Sequence, residues 1–303
     1  MAVLGLRHAL KARLRRFRRP TIPAAPPVRP LDLAGRRVLL VYGLLGEGAA
    51  RLAPLGMDYM GTQLRWLLAQ GAVAQVVKLP TTAPIAPNAA LLAEAILASP
   101  APCLIVAHSK GGLEALAALL DPAVAARCTG LLALQSPFFG SPVADALLAR
   151  PRLHRSLAAL VRALRMGGGA GLPDLSTPGR AAWMREHAAR VAEITAAMPV
   201  LCVAARLSAG ITGPDRRYLP MVRWMERQGA GPNDGLVSVA SALLPGAMHR
   251  VVTGGHRVSV SQGRGRDPIG ILRQGLGLLL SRRMASPLRP DGPSPATPPP
   301  SAS

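Results

Sequence analysis

An α/β domain with a mostly parallel central sheet flanked by helices, and a helical insertion over one end, is the fold the sequence predicts. Three observations predict it. From Arg37 onward, short apolar runs alternate with stretches of helical periodicity, the order in which helices act as crossovers between parallel strands. Hydrophobic residues make up 50% of the 303 but aromatic ones only 3%, so the core must come from Ala, Leu and Val, the material of strands covered on both faces. Between Gly140 and Met198 the alternation stops and helical stretches follow one another.

The elements follow in order. Residues 1–19 set Val3, Leu6, Leu10, Leu14 and Phe17 three and four apart, with Arg7, Lys11, Arg13, Arg15, Arg16, Arg18 and Arg19 elsewhere around the turn. That is a basic amphipathic helix, suited to an anionic membrane surface and equally to a solvated terminus. Five prolines from Pro20 to Pro30 make 20–36 an extended linker. The α/β domain is expected over 37–284. It opens with the strand VLLVYG at 38–43, then a helix at 60–70, a strand at 73–78, a helix at 88–98 and the strand CLIVAH at 103–108. A helix at 111–120 leads to the strand LLALQS at 130–135. The insertion at 141–198, interrupted by a glycine-rich loop at 166–173, is placed to cover a pocket as a cap or lid. VLCVAA at 200–205 resumes the sheet, HRVVTG at 249–254 is the last strand, and 268–284 is a C-terminal helix. The tail at 285–303, rich in Pro and Ser, reads as disordered.

Bulk properties narrow the function. A formal charge of +21 suggests nucleic acid, but no recognition motif accompanies it, and the only lysines are Lys11, Lys78 and Lys110, so the basicity is arginine in an Ala-, Gly- and Pro-rich chain. Nucleic acid is therefore not the expected partner. Cys103, Cys128 and Cys202 lack metal-ligand spacing and read as buried thiols, consistent with a reducing compartment. No apolar stretch is long enough to span a bilayer, and Arg7 and Lys11 interrupt any secretory signal. A cytoplasmic protein follows as the expectation, with the inner face of a membrane open to residues 1–19.

The chemistry concentrates in LIVAHSKGGLEAL at 104–116, where an apolar strand runs into a serine and then a helix. Small residues two before and two after Ser109, here Ala107 and Gly111, let strand and helix approach closely around a strained turn, the geometry of a nucleophile elbow. At these residues the sequence resembles the α/β-hydrolases, and more narrowly the bacterial triacylglycerol lipases and esterases. The resemblance covers roughly 37–282 and implies the fold, an ester substrate of lipid-like character and a set of site residues.

In that family the first strand ends in His-Gly and an apolar residue whose amide helps form the oxyanion hole. Here the segment is VLLVYGLLGEG, so Tyr42 replaces the histidine while Gly43 and Leu44 match. Leu44 and Lys110 are the implied backbone donors. LQSPFFGSPVADAL at 134–147 resembles the family's segment after the next strand, and Phe138 and Phe139 become candidates for an acyl pocket or for ordinary core. DLSTPGRAAWMREH at 174–187 adds to the likeness without a role. GPNDGLVSVASAL at 231–243 places Asp234 where the family carries its catalytic carboxylate, and His256 in TGGHRVSV is the implied base. His249 is a competitor at the start of the last strand. His108 abuts the serine but points to the opposite face, as a supporting or packing group, and His8, His154 and His187 fall in helical stretches. The chain order Ser109, Asp234, His256 is the one this fold requires. Where some members hold calcium through an aspartate two residues past the histidine, this chain has Val258. No metal and no cofactor are expected.

The resulting expectation is a serine hydrolase cleaving carboxylic esters through an acyl-enzyme. Two alternatives stand beside it: a non-catalytic peripheral-membrane protein on the same scaffold, and an acyltransferase or thioesterase using the same three side chains.

Overall fold

Six of the apolar runs form a single sheet: β1 (Arg37–Val41), β2 (Val73–Val76), β3 (Cys103–His108), β4 (Cys128–Leu134), β5 (Val200–Arg206) and β6 (Met248–Thr253). The structure, a computed structural model, describes residues 31–51, 58–150 and 170–285. The expected helix at 1–19, the linker up to residue 30, the stretch 151–169 of the insertion and the tail beyond Ala285 lie outside them. Strand order is β2-β1-β3-β4-β5-β6, and every pairing is parallel. Because the chain leaves β1 for β2 on one side and returns to β3 on the other, connections diverge above the carboxyl ends of β1 and β3, where open α/β sheets place their ligands.

The joining helices are α1 (Gly46–Arg51), α2 (Gly61–Ala69), α3 (Ile85–Leu97), α4 (Lys110–Ala118), α5 (Pro122–Ala126), α6 (Pro142–Leu148), α7 (Thr177–Glu186), α8 (Ala188–Ala197), α9 (Leu219–Arg227) and α10 (Pro268–Ala285). Side chains alternate across the sheet, so each strand feeds two layers. On one face Leu39, Val41, Ile105, Ala107, Leu131 and Ala133 join Ile85, Leu92 and Ile96 of α3 and Leu113 and Leu116 of α4 in one cluster. The other face carries Leu132, against which α10 packs at Gly275; a Cβ there would come within 2.9 Å of the leucine side chain, so only glycine admits the helix so closely.

Element by element, the strands fall within two residues of expectation. The helix expected at 111–120 is α4, which ends at Ala118, and the short α5 follows beyond the expected span. Asp121 caps α5, accepting from the amide of Ala123 at 2.7 Å, with Pro122 in the first turn. Sequence reading assigned no helix or strand to 206–248, which holds α9, with Pro220 tolerated in its first turn. The insertion supplies α6, α7 and α8. Among the described residues no helix is long and apolar enough to cross a membrane.

Candidate active site

Ser109 occupies the turn between β3 and α4 with φ 54° and ψ −126°, a conformation that L-residues adopt only when their surroundings force it. The neighbouring glycines show what forces it. A Cβ on Gly111 would lie 2.6 Å from the carbonyl oxygen of Tyr42 and 2.7 Å from that of Val41; one on Gly43 would lie 2.7 Å from the Ser109 Cβ. The end of β1 is thus pressed against the elbow, and the serine side chain is held out above the sheet.

Asp234 and His256 arrive from loops after β5 and β6. Ser109 Oγ lies 3.0 Å from His256 Nε2, and His256 Nδ1 lies 2.9 Å from Asp234 Oδ2. The three side chains singled out in the sequence therefore meet in one hydrogen-bonded line. Asp234 Oδ1 accepts the amides of Leu236 at 2.9 Å and Val237 at 2.8 Å, which leaves Oδ2 for the imidazole. The histidine amide donates to the Asp234 carbonyl at 3.0 Å, tying the two loops together.

Further residues, absent from the sequence reading, hold this pair. Gln135, at the end of β4 with φ 52°, is fully buried and donates its Nε2 to Asp234 Oδ2 at 3.0 Å and to the Gly255 carbonyl at 3.1 Å. Its Oε1 accepts from the Ser259 hydroxyl. Asp215, ion-paired with Arg266, accepts the Gly255 amide at 3.0 Å. The Tyr218 ring lies where a Cβ on Gly235 or Gly255 would be, so one aromatic wedge rests on both loops.

Behind the elbow a second chain of hydrogen bonds braces the β1 loop. The Gly43 amide donates to the Tyr59 hydroxyl at 3.0 Å, and that hydroxyl lies 2.6 Å from His108 Nδ1. His108 Nε2 lies 2.9 Å from the backbone carbonyl of His256. Since a carbonyl only accepts, Nε2 carries the proton and Nδ1 accepts from the phenol. That assignment needs a neutral imidazole. Burial, and then repulsion from His256, hold the His108 pKa well below its ordinary value. Burial likewise raises the Tyr59 phenol pKa, so both groups keep the protons the network needs.

Comparison with solved structures decides the fold. A metagenomic carboxyl esterase superposes with a TM-score of 0.62 at 20% identity, over 86% of this chain and 79% of its own. The mature lipase of Bacillus licheniformis gives 0.58 at 20% identity, over 76% and 89%, and the lipase of Staphylococcus hyicus 0.52 at 14%, over 86% and 96%. This chain has the α/β-hydrolase fold. No family model matches it, and neither does any curated protein sequence.

Within this hydrolase fold, the expected oxyanion donors lie on either side of Ser109. Lys110 opens α4, so its amide has no acceptor within the helix. Leu44 follows Gly43, whose amide is already committed to Tyr59. The Lys110 side chain turns inward, ion-paired with Glu114, which also accepts from Asn88 Nδ2 at 2.6 Å. This buried link between α3 and α4 fixes the first turn of the helix; burial raises the Glu114 pKa, and the lysine opposes the rise.

A cavity of about 290 Å³ opens above Ser109. Apolar side chains from the β1 loop (Leu44, Leu45), from the insertion (Val143, Ala144, Leu147, Leu172, Leu175) and from the Asp234 loop (Leu236, Val237) form most of its wall; Tyr59, His108, Tyr218, His256 and Arg257 form the rest. Phe138 and Phe139 are not among the lining residues. Phe138 is fully buried and Phe139 packs against the same core cluster, so the pocket reading of the pair is corrected to core. Their neighbour Pro137 reaches the cavity instead. His249 is likewise elsewhere, bonded at 2.6 Å to the Leu244 carbonyl at the amino end of β6. All three cysteines are buried free thiols. Among the described residues no cluster of His, Cys, Asp and Glu gathers as a metal site.

Proposed function

We propose that the protein is a serine hydrolase of carboxylic esters with lipid-like acyl groups, using Ser109, His256 and Asp234. One observation carries the reading: a hydroxyl, an imidazole and a carboxylate joined at 3.0 and 2.9 Å beneath an apolar cavity. His256 takes the Ser109 proton as the hydroxyl attacks the ester carbonyl, and Asp234 keeps Nδ1 protonated and stabilises the imidazolium. The amides of Leu44 and Lys110 receive the oxyanion, each such donor being worth about 2.7–4 kcal/mol in the transition state. The imidazolium then protonates the leaving alcohol. Water, deprotonated by the same base, releases the acid from the acyl-enzyme.

The acyl chain fits the aliphatic side of the cavity, where leucines and valines exclude water at a typical gain of about 25 cal/mol per Å². The test is direct. Ser109→Ala should keep the wild-type circular dichroism spectrum and lose about 10⁴-fold or more in turnover of p-nitrophenyl octanoate. A serine-directed phosphonate should label Ser109 alone. Retained turnover, or a label on another residue, overturns the assignment.

A further inference from the structure

The cavity lining is of two kinds. Among its mostly aliphatic lining stand His256, Arg257 and Tyr218. In the reaction proposed above, His256 Nε2 hands its proton to the departing alcohol, so the alcohol part of the ester must lie on the imidazole's side of Ser109. Arg257 follows His256 in the chain and lines the same cavity.

Arg257 is half-buried, and among the described residues it has no carboxylate partner. Its Nε donates to the Ser261 hydroxyl at 3.1 Å and one terminal nitrogen to the Asp58 carbonyl at 3.3 Å, while its guanidinium faces the Tyr59 ring at 5.3 Å. Among the described residues no Asp or Glu comes within ion-pair distance of it. Two acids nearby are engaged elsewhere: the Asp58 carboxylate accepts from the Thr62 hydroxyl at 2.6 Å, and Asp215 is committed to Arg266 and to the Gly255 amide.

Two further cations press on Arg257, those of Arg217 and Arg266, and with burial they lower its pKa. Arg217 lies 5.2 Å over the Tyr218 ring, the same ring that wedges between the Asp234 and His256 loops. A partly desolvated guanidinium held among like charges by neutral acceptors is costly unless an anion completes it. Planar, forked guanidinium donors suit phosphate and carboxylate oxygens.

We propose that the site takes acyl esters whose alcohol part carries an anionic group, a phosphate or a carboxylate, bound by Arg257 with Arg217 in support. This rests on the hydrolase reading and adds to it the chemistry of the leaving group. The anion is retained while the bond to Ser109 forms, and departs with the alcohol after His256 protonates it, so no further reactant is needed.

The experiment uses matched octanoyl esters and the full chain. For the carboxylate arm, 4-octanoyloxybenzoate is compared with its methyl ester; for the phosphate arm, octanoyl glycerol 3-phosphate with monooctanoylglycerol. The wild-type protein should prefer the anionic member of at least one pair by about tenfold in kcat/KM, mainly through KM, on the scale of one charge-assisted hydrogen bond. The arm that shows the preference identifies which anion the site takes. Arg257→Gln should bring that ratio close to one, Arg257→Lys should restore part of it, and Arg217→Gln, at an exposed position that folding does not depend on, should lower it about two- to threefold. Arg273→Gln, which removes an exposed charge on α10, should leave it unchanged and so separates a local site from the general field of a +21 chain. Neutral esters turned over as well as anionic ones by the wild type, or a preference that survives both Arg257→Gln and Arg217→Gln, overturns the proposal while leaving the hydrolase reading intact. If neither member of either pair is hydrolysed and no phosphonate label appears on Ser109, the hydrolase reading itself falls and this one with it.

Discussion

Ser109 and the pair Asp234–His256 are held by different means. Ser109 is fixed by its immediate backbone: β3 and α4 meet at a turn with φ 54°, and Gly43 and Gly111 bring the β1 loop up against it. Asp234 and His256 sit on loops that no local pattern would hold still. They are positioned by Gln135 from the next strand, by Asp215 and Tyr218 from the segment before α9, and by the backbone of each other. A locally built element should fail as a fold when it fails, whereas one built from distant props should fail first as a catalyst.

Gly111→Ala tests the first half of that contrast and should have the largest effect. Its Cβ would meet two backbone carbonyls inside 2.8 Å, and neither β1 nor the elbow can yield without opening the sheet. A loss of about 3 kcal/mol or more in denaturant unfolding, or no soluble protein, is expected. Near wild-type stability would mean that the elbow is looser than its packing implies.

Gln135→Ala tests the second half. It removes one hydrogen bond from the Asp234 carboxylate and leaves the buried Ser259 hydroxyl without its acceptor, while the Gly255 carbonyl keeps the Val258 amide at 2.9 Å, a cost of about 1–3 kcal/mol. The protein should still fold, and kcat on a neutral octanoyl ester should fall about 10- to 100-fold with KM little changed. An equal loss in both constants would assign Gln135 to general stability rather than to positioning.

The smallest effect concerns His108, which links the two halves through Tyr59 and the His256 carbonyl. Its pKa is lowered in the folded state, so below the ordinary value near 6.5 the unfolded chain binds more protons than the folded one. The stability it confers is therefore complete above about pH 6.5 and declines as pH falls, by at most about 1.4 kcal/mol per unit, until the buried ring is itself protonated. Urea melts from pH 8 to pH 5 should show the gap between wild type and His108→Asn narrowing on the acid side. A constant gap would mean that the ring titrates alike folded and unfolded.

The same division explains what the sequence revealed. β3, the elbow and the order of Ser109, Asp234 and His256 were legible because strand period, small flanking residues and turn chemistry are written in consecutive positions. Gln135 and Asp215 were not, because each acts across 40 or more positions of chain and looks, in its own segment, like any polar loop residue. Tyr59 was hidden for the same reason, although the substitution at Tyr42 hinted that support for the β1 loop had moved. Phe138 and Phe139 misled in the opposite sense. Large apolar residues close to a site are drawn to the interior as readily as to a pocket, and only the turn at Pro137 decides which. α9 went unread, although Val222 and Met225 supply a buried face on three-residue spacing.

The twisted backbone at Ser109 carries an evolutionary cost. Serine there stores on the order of 1–3 kcal/mol that a residue without a side chain would release. On the hydrolase reading proposed above, replacement by glycine would yield a protein that melts higher and turns nothing over, so selection for robustness alone would discard the serine.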